Sequence, residues 1–136
     1  MGPYAEVVAT PLLLAARRAL GHVPFIAVDS VASRQGGREH WALPKTLAAF
    51  GPDGAVDGDG WRLRVRARPV GVACPLVVPF AFTQAPGTRA ECRFRGRVRL
   101  ARVDLRGDGL PGWLATGTHL GAVATGQLRV GAAVAA

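Results

Sequence analysis

The chain contains sixteen arginines but a single lysine, Lys45. Arginine stays protonated at any pH that a protein experiences, whereas a buried lysine can lose its proton and act as an amine nucleophile. Lys45 is therefore the side chain best suited to form an imine with a ketone or an aldehyde. One surface lysine left by chance in an arginine-rich chain is the alternative, and composition alone leaves both interpretations open.

The segment around Lys45, residues 36–50, reads GGREHWALPKTLAAF. A proline at the first helical position, two apolar residues spaced i, i+3 and a following Gly-Pro pair predict a short helix over Pro44–Phe50, with Gly36-Gly37 as a turn. Lys45 would then lie in the first helical turn, where the dipole opposes a positive charge by only about 0.3–1 kcal/mol. We expect burial among apolar neighbours to favour the neutral amine more strongly.

Two short motifs resemble the active-site segments of the acetoacetate decarboxylase family. Gly37-Arg38-Glu39, followed after three residues by Leu43-Pro44-Lys45-Thr46-Leu47, is similar to that family's Gly-Arg-Glu and Pro-Lys-Lys-Leu stretches. Gly2-Pro3-Tyr4-Ala5-Glu6 is similar to its Gly-x-Tyr-x-Glu motif, at a comparable distance upstream. Residues 109–114 and 128–132 are more weakly similar to the closing segments of shorter bacterial members.

The resemblance implies that Lys45 forms a Schiff base and that Glu6 faces it. Glu39 is a second candidate for proton handling, with a structural salt bridge to Arg38 or Arg34 as an equally good interpretation. The candidate substrate-binding residues are Arg38, Trp41 and Tyr4. We expect a lyase that acts on a small keto acid or related carbonyl compound, by decarboxylation or by aldol or dehydration chemistry, without a cofactor or a metal ion.

Two features differ from the family pattern. The family's second lysine is Thr46 here, and Arg38 and Arg34 are the candidates to replace that neighbouring cation. The part of the family's domain that precedes the Gly-x-Tyr-x-Glu motif, and that carries an arginine and another glutamate of the active site, has no counterpart. The alternative is therefore a non-catalytic member that binds a small carbonyl or acidic ligand or acts as a subunit. We also expect an exposed apolar edge that self-association into a homo-oligomer covers.

Two segments alternate apolar and arginine side chains with the period of a β-strand, residues 61–68 and 92–100. The apolar phase of the second slips near Ala101, which predicts a β-bulge. Together with eighteen glycines and ten prolines, these strands favour a mainly β (α+β) fold in one domain over residues 1–136. The resemblance implies the same class: a curved antiparallel sheet or incomplete β-barrel of the acetoacetate decarboxylase-like type, with one short active-site helix.

The net charge of +8 raises nucleic acid as an alternative partner. The alternating arginines are Arg62, Arg64, Arg66, Arg68, Arg93, Arg95, Arg97 and Arg99. Like charges directly opposite on paired strands repel, so either the two runs are not opposed or acidic residues neutralise them. Exposed aromatic residues do not interleave with these arginines, which disfavours single-stranded nucleic acid and favours a small-molecule substrate.

Cys74 and Cys92 are the only cysteines, and no Cys/His spacing indicates a zinc site. Two lone cysteines fit a reducing cytoplasm.

The apolar residues 7–16 are preceded by Glu6 and followed by Arg17-Arg18, the reverse of the charge order in a signal peptide. No apolar run approaches the roughly 18 residues that a membrane-spanning helix needs. We therefore expect a soluble, cytoplasmic protein with no membrane partner.

Overall fold

The structure is a computed structural model that describes residues 3–15, 18–84 and 87–135. It is mainly β, with 63% strand and 11% helix. The fold class predicted from the sequence is therefore confirmed. The β character follows from the alternation of apolar and polar side chains, which lets each strand bury one face.

Within the described ranges the chain forms one α-helix and twelve strands. The helix, α1, spans Val31–Trp41, and a single 3-10 turn spans Pro52–Gly54. The strands are β1 (Glu6–Ala9), β2 (Leu12–Ala15), β3 (Arg18–His22), β4 (Phe25–Val28), β5 (Lys45–Leu47), β6 (Ala49–Phe50), β7 (Ala55–Gly58), β8 (Trp61–Pro69), β9 (Cys74–Gln84), β10 (Thr88–Asp108), β11 (Gly117–Val130) and β12 (Val134–Ala135). Helix α1 does not have the combination of length and apolar character that crossing a bilayer requires.

The strands form two sheets. The smaller sheet has the order β1-β4-β5, with β1 antiparallel and β5 parallel to β4. The larger sheet has the order β2-β3-β9-β10-β8-β7-β6, and β11 and β12 also pair with β10. The β3–β9 pair is parallel, whereas β8 pairs antiparallel with both β7 and β10.

Backbone contacts divide the chain into two compact units, each built from several segments. The first comprises Met1–Leu47, Val77–Phe94 and Leu128–Ala136, and the second comprises Ala48–Leu76 and Arg95–Gln127. The core of the first unit contains Val23, Ile26, Phe82, Ala90 and Cys92. The buried apolar residues of the second unit include Val56, Leu63 and Ala101.

The helix lies upstream of the position that the sequence predicted. The predicted helix over Pro44–Phe50 and the predicted turn at Gly36-Gly37 are both wrong: residues 45–47 and 49–50 are strands, and both glycines lie within α1. A helix of seven residues gains few backbone hydrogen bonds for its nucleation cost. The same residues instead satisfy their backbone by pairing with β4 and β7.

The predicted change of phase in the second arginine-rich strand is present in β10. Arg99 and Leu100 are both exposed, and the buried positions then pass from even to odd numbers at Ala101. The alternation over residues 92–100 predicts that Leu100 lies on the apolar face, and that prediction is wrong because the slip turns Leu100 outward. The slip occurs within one continuous strand, as expected of a local insertion in the pleat.

The two arginine runs do not oppose each other in the second unit. Strand β8 pairs with residues 101–108 of β10, so Arg66 faces Asp104 and Arg62 faces Asp108. Like charges still meet where Arg64 faces Arg106 and where Arg68 faces Arg102. Both solutions inferred from the sequence, a shifted register and neutralising acids, therefore operate together.

Candidate functional site

Lys45 is positioned by a β-α-β crossover made of β4, α1 and β5. Strand β5 pairs in parallel with β4, and Lys45 lies beside Ile26 in that register. Strand β1 pairs with the other edge of β4, which places Val8 beside Ile26 and Glu6 beside Val28. Paired residues point to the same face of a sheet, so the side chains of Val8, Ile26 and Lys45 lie side by side on one face. Glu6 points to the same face, two residues along β1 from Val8.

Helix α1 has capping residues at both ends. The hydroxyl of Ser30 accepts a hydrogen bond of 3.2 Å from the amide of Ser33, as an N-cap residue does. At the other end Ala42 adopts the left-handed conformation, with φ of 52°, and the amide of Leu43 donates to the carbonyl of Gly37 at 3.1 Å. These caps explain why the helix stops short of Pro44.

The Lys45 amine is buried and has three neighbours. Its Nζ donates to Glu6 Oε2 at 2.6 Å and to Ser33 Oγ at 3.0 Å. It also lies 5.4 Å from the centroid of the Tyr4 ring, within the range of a cation–π contact. The side chain of Lys45 is 7% exposed and that of Glu6 is 29% exposed, so the carboxylate reaches the amine from the more open side.

Gly37 lets the helix approach the stem of Lys45. A Cβ placed on Gly37 would lie 2.5 Å from Lys45 Cδ and 2.6 Å from Cε, well inside van der Waals contact. By contrast, a Cβ on Gly36 would meet nothing nearer than His40 Cδ2 at 3.8 Å. A glycine in a helix normally destabilises it by about 0.5–1 kcal/mol relative to alanine. At Gly37 the missing side chain leaves the space that the stem of Lys45 occupies.

The amine opens onto a cavity of about 450 Å³ that lies within the first unit. Of the described residues that line it, only Glu6 and Lys45 carry a charge. Most of the others are apolar, among them Val23, Ile26, Phe80, Phe82, Leu128 and Val130. Leu128 is largely exposed, so the cavity reaches solvent on this side.

The structure brings together some of the predicted site residues and separates others. Tyr4, Glu6, Trp41 and Lys45 all line the cavity. The indole N–H of Trp41 donates to the carbonyl of Gly131 at 3.0 Å, which fixes the ring as part of the wall. Their roles in catalysis or substrate binding remain predictions.

Arg38 and Glu39 lie outside the lining of this cavity. Arg38 Nε donates to the backbone carbonyl of Lys45 at 2.8 Å, so it holds the main chain of β5. Glu39 is exposed and accepts a hydrogen bond from Gln35 Nε2 at 3.0 Å. Thr46, which stands where the resembling family has a second lysine, donates its hydroxyl to the carbonyl of Ile26 at 3.2 Å.

Sequence reasoning missed Ser33 and Cys92 as parts of the site. Ser33 is almost completely buried and accepts a hydrogen bond from the Lys45 amine, while Cys92 is a free thiol in the cavity wall. Ser33, Gly37 and Trp41 are spaced four residues apart, which would have marked one helical face had α1 been placed correctly. Burial raises the pKa of the Cys92 thiol and the charge of Glu91 raises it further, which keeps it protonated at neutral pH.

The arrangement can transfer a proton from the lysine to the glutamate. An ammonium paired with a carboxylate at 2.6 Å is one proton transfer away from a neutral amine beside a carboxylic acid. Neutral amine is the form that attacks a carbonyl carbon. The hydroxyl of Ser33 can keep the nitrogen oriented during that change, because a hydroxyl both donates and accepts.

No group of three His, Cys, Asp or Glu side chains that could hold a metal ion occurs among the residues that the structure describes. No protein-family model matches the chain, and no curated protein or solved structure matches it either.

Proposed function

We propose that the protein is an acetoacetate decarboxylase-like lyase that forms a Schiff base between Lys45 and a keto acid or a related carbonyl compound. The observation that carries the proposal is the burial of the only lysine against Glu6, with its amine facing a cavity large enough for a ligand. A lysine that served only solubility would be exposed. The motif resemblance of residues 2–6 and 37–47 points to the same chemistry.

Glu6 serves the reaction as the proton acceptor and donor. It takes a proton from the Lys45 ammonium, and the neutral amine attacks the carbonyl carbon to give a carbinolamine. Loss of water, with the proton returned by Glu6, leaves a protonated imine. Loss of carbon dioxide or of an α-proton then sends an electron pair toward the imine nitrogen and gives an enamine. A proton from solvent at the α-carbon of the enamine regenerates a protonated imine, and hydrolysis of that imine releases the product and restores the amine.

Arg38 contributes to positioning rather than to chemistry in this scheme. Its guanidinium holds the carbonyl of Lys45, and therefore fixes where strand β5 begins. Glu39 has no contact with the amine or the cavity within the described residues, so we assign the proton transfer to Glu6 alone. Ser33 takes a place that the sequence did not predict, as the second partner of the amine.

Trapping with borohydride tests the proposal directly. Incubation with a panel of ketones and keto acids followed by reduction should leave a covalent adduct on Lys45, located by peptide mass spectrometry. Lys45→Arg keeps the charge and Lys45→Met keeps the unbranched stem, and both should lose the adduct because neither can form an imine. An adduct of equal yield in both variants, or none in the wild type with any carbonyl compound, would overturn the proposal.

A non-catalytic ligand-binding protein is the second candidate. The observation in its favour is that the Lys45 amine already has two hydrogen-bond partners, so it is held in place without a substrate. In that case ligands would bind in the cavity but no adduct would be trapped, and Lys45→Met would retain binding. The same incubation therefore separates the two candidates.

Self-association and a cytoplasmic location belong to the same proposal. The second unit exposes large apolar side chains, with Val72 at 80% and Leu120 at 83% exposure, which a second copy of the chain would cover. Cys74 and Cys92 are both unpaired, as expected in a reducing compartment. Sedimentation as a monomer at micromolar concentration would contradict the homo-oligomer.

A further inference from the structure

We infer that the cavity selects an uncharged carbonyl compound with an extended apolar body, rather than a small keto acid. The inference rests on the proposed function for the imine, and it goes further by naming the class of ligand. It is carried by the charges and the volume of the cavity.

Among the residues that the structure describes, the cavity lining holds no cation that is free to pair with a carboxylate. Its two charged lining residues, Glu6 and Lys45, neutralise each other at 2.6 Å. The nearest arginine in sequence, Arg38, donates to the backbone carbonyl of Lys45 and does not line the cavity. A carboxylate brought into this space would meet Glu6, or would have to displace it, and an unpaired charge in an apolar site is strongly disfavoured.

The size of the cavity favours a longer molecule. A volume of about 450 Å³ equals the share of liquid occupied by roughly fifteen water molecules. Acetone or acetoacetate would leave most of that space unfilled. An alkyl chain would fill it and remove apolar side chains such as Ile26, Phe80 and Phe82 from water, which contributes about fourfold in affinity for each methylene.

The chemistry that such a ligand permits begins at its α-carbon. With no carboxylate to lose, the protonated imine gives up an α-proton to the Glu6 carboxylate. The electron pair of that C–H bond becomes the C=C bond of the enamine, and the π pair of the C=N bond moves to the nitrogen. The products are an enamine on Lys45 and a protonated Glu6. This step is reversible, so it exchanges α-protons with solvent and supports aldol-type bond formation or cleavage.

A chain-length series tests the ligand class. Straight-chain methyl ketones from acetone to octan-2-one would be trapped on Lys45 with borohydride, and the half-saturating concentration read from the adduct yield. We expect it to fall about fourfold for each added methylene until the cavity is filled. Heptan-2-one should bind at least about tenfold more tightly than 3-oxooctanoate, which differs from it by one carboxylate.

Alcohols of the same chain lengths separate this inference from the proposed function. An alkan-2-ol cannot form an imine, but by filling the cavity it should protect Cys92 from alkylation in a Cys74→Ser background. Protection that grows with chain length, without any ketone adduct, would overturn the imine chemistry and leave the ligand class standing. Adduct yields that do not depend on chain length, or that favour the keto acid, would overturn the ligand class alone.

A variant that adds the missing cation sharpens the test. Leu128 lines the cavity and is exposed, so a long polar side chain is tolerated there. Leu128→Arg should move the preference toward 3-oxooctanoate by about tenfold, because the guanidinium pairs with the carboxylate. Leu128→Gln, similar in polarity but uncharged, is the control, and an equal shift in both variants would contradict the electrostatic argument.

Discussion

The two units of this protein treat positive charge in opposite ways. In the first unit a single lysine is buried at the edge of an apolar cavity and paired with one glutamate. In the second unit the arginines of β8 stand on an exposed strand face, some of them opposite aspartates and others opposite arginines. The first arrangement depends on one contact, whereas the second spreads its charges over many weak ones.

The difference between the two units shows that the contribution of an ion pair to stability depends on its exposure to water. Water screens an exposed pair such as Arg62 with Asp57, whose side chains are 79% and 59% exposed, and pairs of this kind contribute about 0–1 kcal/mol. Lys45 is shielded from water, so the loss of its partner is costly. Loss of Glu6 should therefore destabilise the protein, whereas substitution of the exposed arginines should have little effect on its stability.

The largest effect should come from breaking the buried pair. Glu6→Ala leaves the Lys45 ammonium without its carboxylate and should lower the free energy of unfolding by about 1–3 kcal/mol, less than a fully buried pair because Glu6 is partly exposed. Arg62→Ala, which breaks an exposed pair, should lower it by less than about 1 kcal/mol. Chemical denaturation of both variants measures these losses. Equal losses of unfolding free energy in the two variants would contradict the difference between the buried and the exposed pair.

A smaller effect should come from the two glycines of α1. Gly37→Ala gains helix propensity but forces its Cβ against the stem of Lys45, for a net loss of about 0.5–2 kcal/mol. Gly36→Ala meets only an ordinary contact and should gain about 0.5–1 kcal/mol.

The unfolding midpoints of both variants, measured under one set of conditions, test this prediction. We expect Gly37→Ala to lower the midpoint and Gly36→Ala to raise it. The trapped-adduct assay adds a second readout, because displacement of Lys45 in Gly37→Ala should also lower the adduct yield. Stabilisation by both substitutions would show that the close approach of helix and lysine is absent.

The smallest effect concerns Asp104 on the arginine-rich strand. The hydrogen bond from Thr118 lowers the pKa of Asp104, and the charges of Arg102, Arg68 and Arg106 lower it further. A lowered pKa stabilises the folded state above the ordinary value of 3.8, and this contribution is lost as the pH falls through the lowered pKa.

Asp104→Asn should therefore be less stable than the wild type at neutral pH, and the two should converge in acid. Thr118→Val removes the hydrogen bond of 2.6 Å and should give the same pH dependence in part. Urea midpoints at several values of pH would measure the convergence. A difference that persists unchanged in acid would show that the charge of Asp104 does not contribute.

Much of the fold could be predicted from local sequence pattern. The alternation in β8 and β10 fixes which side chains are exposed, because the period of a strand is two residues. The phase slip at Ala101 was visible in the same way. The helix could not be placed, because the Gly36-Gly37 pair has the pattern of a turn and only the contact with Lys45 explains a glycine inside α1.

The sequence by itself determined that one lysine stands apart from sixteen arginines, and the resemblance of two motifs to known active-site segments predicted that Glu6 faces it. Only the tertiary structure decided which residues meet at the amine and its cavity, since Ser33 comes from the helix, Glu6 from β1 and the cavity residue Cys92 from β10. The physical reason is that side-chain period is local, whereas a cavity and its charges depend on segments that are distant in the chain. The absence of an unpaired cation among the described residues that line the cavity is for this reason a property of the fold.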